Sequence, residues 1–524
     1  MSSTPPTCGT ARALTRRLAG VPDRLDLYAA LSDRGRRTDT FLLETLDGPS
    51  LILDQAAVRI ECRGVEAVLH ALTPGGETVL GSVARALADR VAGRDGKSLT
   101  LRFPPPEGDD AESRLLAPSP FDVLRAVTSG LRNESPEEPF TLACLGVVAF
   151  DHVDLFETLP ANCEDPLDFP DFIFWLAESL VVAEPGLTPR LVCTAFGSDA
   201  APGGDEAIRA HYGAAERLAD LAARCAAPLV PVAAPAPGAT IPPEPDCDLD
   251  DAAYAAVVAR MKEHILAGDI YQIVPSRTFS APCPDPLAAF AAVRRLDRSP
   301  YMFFVSGPDH LLFGASPEVS VRVTNEAGIA KVEVKPIAGT RRRGGDYDED
   351  DQIEADLRLD TKEVAEHMML VDLARNDVAR VSRPGTRRVA NLMNVERYAR
   401  VMHLVSSVTG ALAAGYDALH TLQACLNMGT LSGAPKIRAT QLLRGAERTK
   451  RGPYGGAIGW LAGDGAMDTG VIIRSAVVRG GTAFVRAGAG VVHDSDPLKE
   501  ADETRRKASA ILAAIAAAAP ARAE

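Results

Sequence analysis

No C-x-x-C pair occurs among the nine cysteines, which lie scattered at positions 8, 62, 144, 163, 193, 225, 247, 283 and 425 of the 524 residues. Dispersed thiols in odd number argue against a zinc cluster or a disulfide framework and predict reduced cysteines in a cytoplasmic protein. The nine histidines are equally dispersed. Long apolar runs are missing too. The longest, at 510–519, is about half of what a membrane span needs and is expected to form a C-terminal helix. Positive charge is in the minority, with 56 Lys and Arg against 70 Asp and Glu and a net charge of −14. Such an excess repels phosphate backbones and anionic headgroups, so neither nucleic acid nor a membrane is expected as partner. What remains, 46% hydrophobic and 24% charged residues, is the composition of a folded protein with two or three domains, or one large domain with an extension.

One composition break divides the chain. Pro228, Pro231, Pro235, Pro237, Pro242, Pro243 and Pro245 punctuate an Ala-rich stretch that suits neither helix nor sheet interior. The reading is an N-terminal region at 1–226, a linker at 227–247 and a C-terminal region at 248–524. Beyond the linker, Tyr254, Val257, Val258, Met261, Ile265 and Leu266 keep helical spacing, and Gly268 ends the helix before a strand from Ile270. Val319, Val321 and Val323 alternate with polar residues, turn at 325–328 and return through Ala330, Val332 and Val334, a hairpin. Segments 457–461, 471–478 and 483–487 follow with short Gly-rich turns, too short for parallel crossovers. The class is α+β, built mostly on antiparallel sheet.

Two glycine-rich segments fail as nucleotide loops. The run from Gly488 to His493 lacks a third glycine and a βαβ setting, and the run from Gly429 to Lys436 is one residue too short for a P-loop. Pro435 suits the first turn of a helix, so Gly433 and its neighbours would offer N–H groups to a carboxylate, although a plain tight turn fits as well. The carboxylates say more. Glu363 and Glu366 share one helix face; Glu500, Glu503 and Lys507 share another, on a helix capped by Asp496 with Pro497 in its first turn. Together the two pairs would make an oxygen-rich site for Mg²⁺, whereas singly each is an ordinary solvated face.

The motifs D-I-Y-Q-I-V-P-S-R at 269–277, G-A-S-P-E at 314–318, P-I-A-G-T-R at 336–341, E-H-M-M-L-V-D-L-A-R-N-D at 366–377, M-H-L-V-S at 402–406 and G-T-L-S-G-A-P-K at 429–436 resemble the large subunit of anthranilate synthase, a chorismate-utilising enzyme. The likeness continues through Y-G-G-A at 454–457 to E-A-D-E-T at 500–504, and N-terminally it reaches L-L-E-T at 42–45. It starts near residue 10, which leaves no room for the transit peptide that the acid-free residues 1–22 weakly suggest.

The resemblance implies two packed antiparallel sheets with outer helices. It assigns Mg²⁺ to Glu363, Glu366, Glu500 and Glu503. The ring carboxylate of chorismate goes to Lys507 and the Gly429, Thr430 and Gly433 turn, beside the Gly339 and Thr340 motif. The enolpyruvyl carboxylate goes to Arg474, Tyr454 and the Gly488 to Gly490 backbone. Glu318 matches the general acid for the departing ring hydroxyl, and His403 the residue needed for pyruvate loss. Isochorismate and salicylate synthases carry a lysine where this chain has Gln272, and an amide is no base for water. Aminodeoxychorismate synthases usually carry a lysine at the position of Ala338, so ammonia remains as nucleophile. No cysteine lies in a G-x-C-x-G turn, which implies a separate glutamine amidotransferase subunit as ammonia source. An aminodeoxyisochorismate synthase that stops before pyruvate loss and a non-catalytic tryptophan-binding regulator are the alternatives. The family's tryptophan site maps to Glu44, Thr45, Pro300, Tyr301 and Met302. Thr45 in place of serine, Asp297-Arg298 in place of Asn-Pro, and Pro49 where close relatives often have lysine predict weakened feedback.

Overall fold

The computed structural model describes residues 9–20, 22–105, 110–197, 205–235, 245–296, 298–326, 328–398 and 401–519. A period of two along the buried strands decides which apolar layer each side chain joins. In the strand Tyr301–Ser306, Tyr301, Phe303 and Val305 enter one layer and Met302 and Phe304 another. Its antiparallel partner Thr40–Thr45 does the same with Phe41 and Leu43 against Leu42. In the strands Cys144–Val148 and Ala457–Leu461, also antiparallel partners, Leu145, Val147, Ile458 and Trp460 reach the same middle layer, while Cys144, Val148, Ala457 and Leu461 face outward.

Two mostly antiparallel layers, continuous with each other through shared strands, therefore pack face to face, and each covers its outer surface with helices. On one side lie Pro74–Ala86, Phe121–Val127, Thr361–Ala379 and Ala418–Cys425; on the other, Arg24–Leu31, Pro286–Leu296 and Pro497–Ala518. This is the expected α+β architecture. The hairpin of Val319–Glu326 and Ile329–Val334 forms as read.

Three local expectations are corrected. The segment 471–478 is two strands, Met467–Val471 and Ser475–Arg479, because Arg474 has φ 46°, which no extended ladder accommodates. The strand expected from Ile270 is divided into Gln272–Ile273 and Ser276–Pro282, on either side of Pro275, which has no N–H to give. Pro435 stands at the N-cap of the helix Lys436–Ala446, and Gly433 pairs with Ile273 in a short ladder instead of crowning a helix end.

Strands from before and after the proline-rich stretch belong to the same sheets. Residues 229–235 have no regular structure, and the Val232 N–H donates to Asp26 Oδ1 at 2.7 Å. Pro237, Pro242, Pro243 and Asp297 lie outside the described residues. The eight described cysteines are free thiols. Among the described residues no helix is long and apolar enough to cross a membrane.

Candidate active site

Two helices present the glutamates. The helix Thr361–Ala379 begins where the Asp360 carboxylate accepts the N–H groups of Lys362 and Glu363 at 3.0 and 3.1 Å. The C-terminal helix Pro497–Ala518 begins in the same way, with Asp496 accepting from Leu498 and Lys499 at 3.0 Å. Such caps satisfy first-turn donors and fix where each helix starts, hence which way residues three to seven positions on will face. Arg341 donates to Glu363 at 3.0 Å, Gln272 Nε2 to Glu366 at 3.4 Å, and Lys507 sits 2.8 Å from Glu503 while donating to the Gly488 carbonyl at 3.0 Å.

Burial first, then the Glu363 charge and that of Glu503 on the other helix, raise the Glu366 carboxyl above its usual range. Glu500 is raised by burial and by Glu503, against a hydrogen bond from Ser495. Like charge thus bears on Glu366 from Glu363 and Glu503, and on Glu500 from Glu503, and such an oxygen-rich donor set could hold a hard dication. Among the described residues no three acidic, His or Cys side chains converge closely enough to hold a metal ion as they stand. Arg341 and Lys507 occupy two of the four carboxylates.

Glu318 lies between the strands Leu311–Ser316 and Val319–Glu326. It is 6% exposed, and burial lifts it to about 7, opposed by the Thr430 hydroxyl, which donates at 2.6 Å, and by the Lys507 charge. Thr430 rides on a turn closed by Leu431 and Ser432 N–H groups donating to the Met428 carbonyl, each at 3.0 Å, and Gly429 of that turn packs under Leu373. The turn reaches Gln272 through the pairing of Ile273 with Gly433. Gly433 has φ 138°, and a Cβ there would lie 2.2 Å from the Gln272 carbonyl, so only glycine fits. Gln272 is 3% exposed, its Oε1 is buried without a partner, and Gly490 lies beside its Nε2.

His403 projects from the strand Val401–Ala411. Its Nδ1 is 3.0 Å from the Gly339 carbonyl and 3.1 Å from Thr340 Oγ1. The contact exists because Gly339 is an extra residue in the ladder, at φ 66° and close against Glu363. An Nδ1 proton given to that carbonyl leaves Nε2 as the basic nitrogen. Tyr454 is buried with its hydroxyl beside Gly488. Arg474 occupies the sharp turn between two strands, and its carbonyl accepts from Ala315 at 3.1 Å. Short contacts thereby join His403 with Gly339 and Thr340, join Gln272 with Glu366, join Glu318 with Thr430, and join Lys507 with Glu503 and Gly488, while Arg474 meets Ala315 through its backbone.

The tryptophan candidates form a separate group. Glu44 pairs with Met302 and Thr45 with Tyr301 across two strands. Arg294 donates to Glu44 at 2.7 and 2.8 Å, the Tyr301 hydroxyl donates to Asp468 at 2.6 Å, and the Pro300 carbonyl accepts from Leu46 at 3.2 Å. Thr45 Oγ1 is buried without a partner.

Arg451 is a support that sequence reading passed over. It is 3% exposed and donates to the Leu431 and Val274 carbonyls at 2.6 and 2.7 Å, tying the Thr430 turn to the Gln272 strand. Glu447 balances its charge. Its place in K-R-G-P-Y, just ahead of Tyr454, is the only sequence signal, and a lysine–arginine pair reads as surface.

The signature of the chorismate binding enzyme family matches residues 105–513. Anthranilate synthase component 1 of Vibrio cholerae is 45% identical over 497 residues, covering 91% of this chain and 92% of that one. The pyocyanine-specific anthranilate synthase component 1 of Pseudomonas aeruginosa is 44% identical, covering 95% and 93%. The crystal structure of anthranilate synthase component I from Streptococcus pneumoniae superposes with a TM-score of 0.69 at 29% identity, over 90% of this chain and 93% of that one. The menaquinone-specific isochorismate synthase of Escherichia coli shares the fold, with a TM-score of 0.67 at 19% identity over 98% and 96%. The chain belongs to the chorismate binding enzymes, and within them to the anthranilate synthase component 1 family.

Proposed function

We propose that this chain converts chorismate and ammonia to anthranilate and pyruvate. The observation that carries the choice of nucleophile is the buried Gln272 amide, whose unpartnered carbonyl faces no donor of the chain. A carbonyl accepts an N–H from ammonia and orients it, but takes no proton from water. Glu318, lifted to about 7 and so about half protonated at neutrality, gives its proton to the C4 hydroxyl as that group departs and nitrogen adds at C2. His403 then handles the C2 proton as the enolpyruvyl group leaves as pyruvate and the ring becomes aromatic. The Thr430 to Gly433 turn and Lys507 hold the ring carboxylate; Tyr454, Arg474 and the Gly488 to Gly490 backbone hold the other. Glu363, Glu366, Glu500 and Glu503 would hold Mg²⁺, whose charge offsets theirs and draws in a dianionic substrate.

Incubating the pure chain with chorismate, Mg²⁺ and an ammonium salt is expected to give anthranilate and pyruvate, identified by mass and fluorescence, and chelation of magnesium to abolish both. Isochorismate or a 4-amino product would sink the assignment. Glutamine should replace ammonium only after a glutamine amidotransferase subunit is added; glutamine-dependent turnover by this chain alone would contradict the separate ammonia source.

The paired strands at Thr45 and Tyr301 are proposed as a weakened tryptophan site. An extra methyl in a packed pocket costs roughly 1 to 3 kcal/mol, about a tenfold or larger loss of affinity. In a tryptophan titration of ammonia-dependent activity, Thr45→Ser should therefore be inhibited at about tenfold lower concentration than the wild type. Tight wild-type inhibition that serine leaves unimproved would refute this.

A further inference from the structure

The motifs at 269–277 and 500–504 end on Arg277 and Thr504, neither of which has a role in the site described above. The structure joins them. Arg277 is 1% exposed. Its Nε donates to Thr504 Oγ1 at 2.8 Å, its Nη2 to the Ala501 carbonyl at 2.8 Å, and its Nη1 to the Leu249 carbonyl at 2.9 Å. Thr504 Oγ1 in turn donates to the Ala501 carbonyl at 2.7 Å, which closes a ring of three groups. The guanidinium lies over the rings of Tyr254 and Phe279, 5.0 and 5.1 Å from their centroids. Asp251, 2.9 Å away, supplies the opposite charge and also pairs with Arg505 of the C-terminal helix.

Ala501, Thr504 and Ala508 are the buried stripe of that helix, and Glu500, Glu503 and Lys507 form the stripe beside it. Whatever fixes the rotation of the first stripe fixes the direction of the second. We infer that Arg277 is a positioning residue: its planar fork, locked by two aromatic rings, sets the rotation and depth of the first turns of the C-terminal helix and so aims Glu500 and Glu503 at the magnesium they would share with Glu363 and Glu366. This rests on the metal assignment proposed above. Lysine keeps the charge but offers neither the fork nor the stacking plane.

The test uses the full chain as wild type, Arg277→Lys, Thr504→Val and Thr504→Ser. Magnesium affinity is measured by titration calorimetry and, separately, from the magnesium dependence of turnover. Folding is checked by near-UV circular dichroism and thermal melting. Arg277→Lys and Thr504→Val are expected to bind magnesium about tenfold more weakly, the size usual for groups that orient metal ligands. At saturating magnesium their kcat should return to within about threefold of wild type, as expected when an aiming defect is overcome by mass action. Thr504→Ser, which keeps the hydroxyl, should match the wild type within about twofold in both measurements.

Should Arg277→Lys fail to fold, Thr504→Val decides alone. A folded Thr504→Val with wild-type magnesium affinity, or one whose kcat stays low at saturating magnesium, overturns the inference and leaves the proposed function standing. A wild type that binds no magnesium overturns the metal assignment and the inference with it.

Discussion

Glu318→Gln is expected to lower kcat by about 10²- to 10⁴-fold while raising the stability of the folded chain at alkaline pH. Both effects follow from one environment. Burial lifts the carboxyl from the ordinary 4.5 to about 7, so the folded protein holds this proton where the unfolded chain has released it. The stability contribution of the acid is full below pH 4.5 and falls as pH rises, until above pH 7 roughly 3 kcal/mol has been lost relative to a neutral side chain. Glutamine is that neutral side chain, and its carbonyl still accepts from Thr430. Melting curves of the two proteins should therefore separate at pH 8, with the variant higher, and converge near pH 4.5. Wild-type kcat/KM, measured at constant unprotonated ammonia, should decline above pH 7 as the acid loses its proton. A variant that keeps more than a tenth of the activity, or melts no higher at pH 8, would remove Glu318 from the role of acid.

His403→Met is expected to slow pyruvate loss at least tenfold while leaving amination within about threefold. Methionine fills the imidazole volume but moves no proton, and the ring is held at Gly339 and Thr340, whereas Glu318 is held by Thr430. Aminodeoxyisochorismate should accumulate and be separable by chromatography. Equal loss of both steps with no intermediate would reassign His403 to substrate positioning.

The long motifs made the candidate residues recognisable as a set in the sequence. Each helix carries its own cap, so the facing of Glu363 and Glu366, and of Glu500, Glu503 and Lys507, followed from spacing and from Asp496 and Pro497. The alternating valines from Val319 to Val334 likewise gave their hairpin. What escaped is what depends on long-range contact. Arg474 interrupts a run of residues with high strand propensity because its backbone must turn there, and nothing local demands that. Pro435 looks the same in sequence at a cap as in a first turn. Arg277 is a charged group whose burial is made tolerable by Asp251 and Tyr254 more than twenty positions earlier, and Arg451 is held by Glu447 one turn away and by the distant ring of Phe150. A buried arginine is invisible until its partners are assembled.

The sharing of sheets across the proline-rich stretch has a consequence for biosynthesis on the ribosome. Thr40–Thr45 finds one neighbour nearby in Ser50–Arg63, but its other edge pairs with Tyr301–Ser306. At roughly 5 to 20 residues per second, that edge stays open for roughly 10 to 50 s while the intervening chain is made. The Leu-rich strand Thr40–Thr45 is thus exposed to pairing with other nascent chains throughout that interval. Cys144–Val148 waits still longer for Ala457–Leu461. Soluble yield should accordingly depend on chaperone supply and fall when translation is slowed between these strands, and a product cut short at the proline-rich stretch should aggregate rather than persist as an independent half.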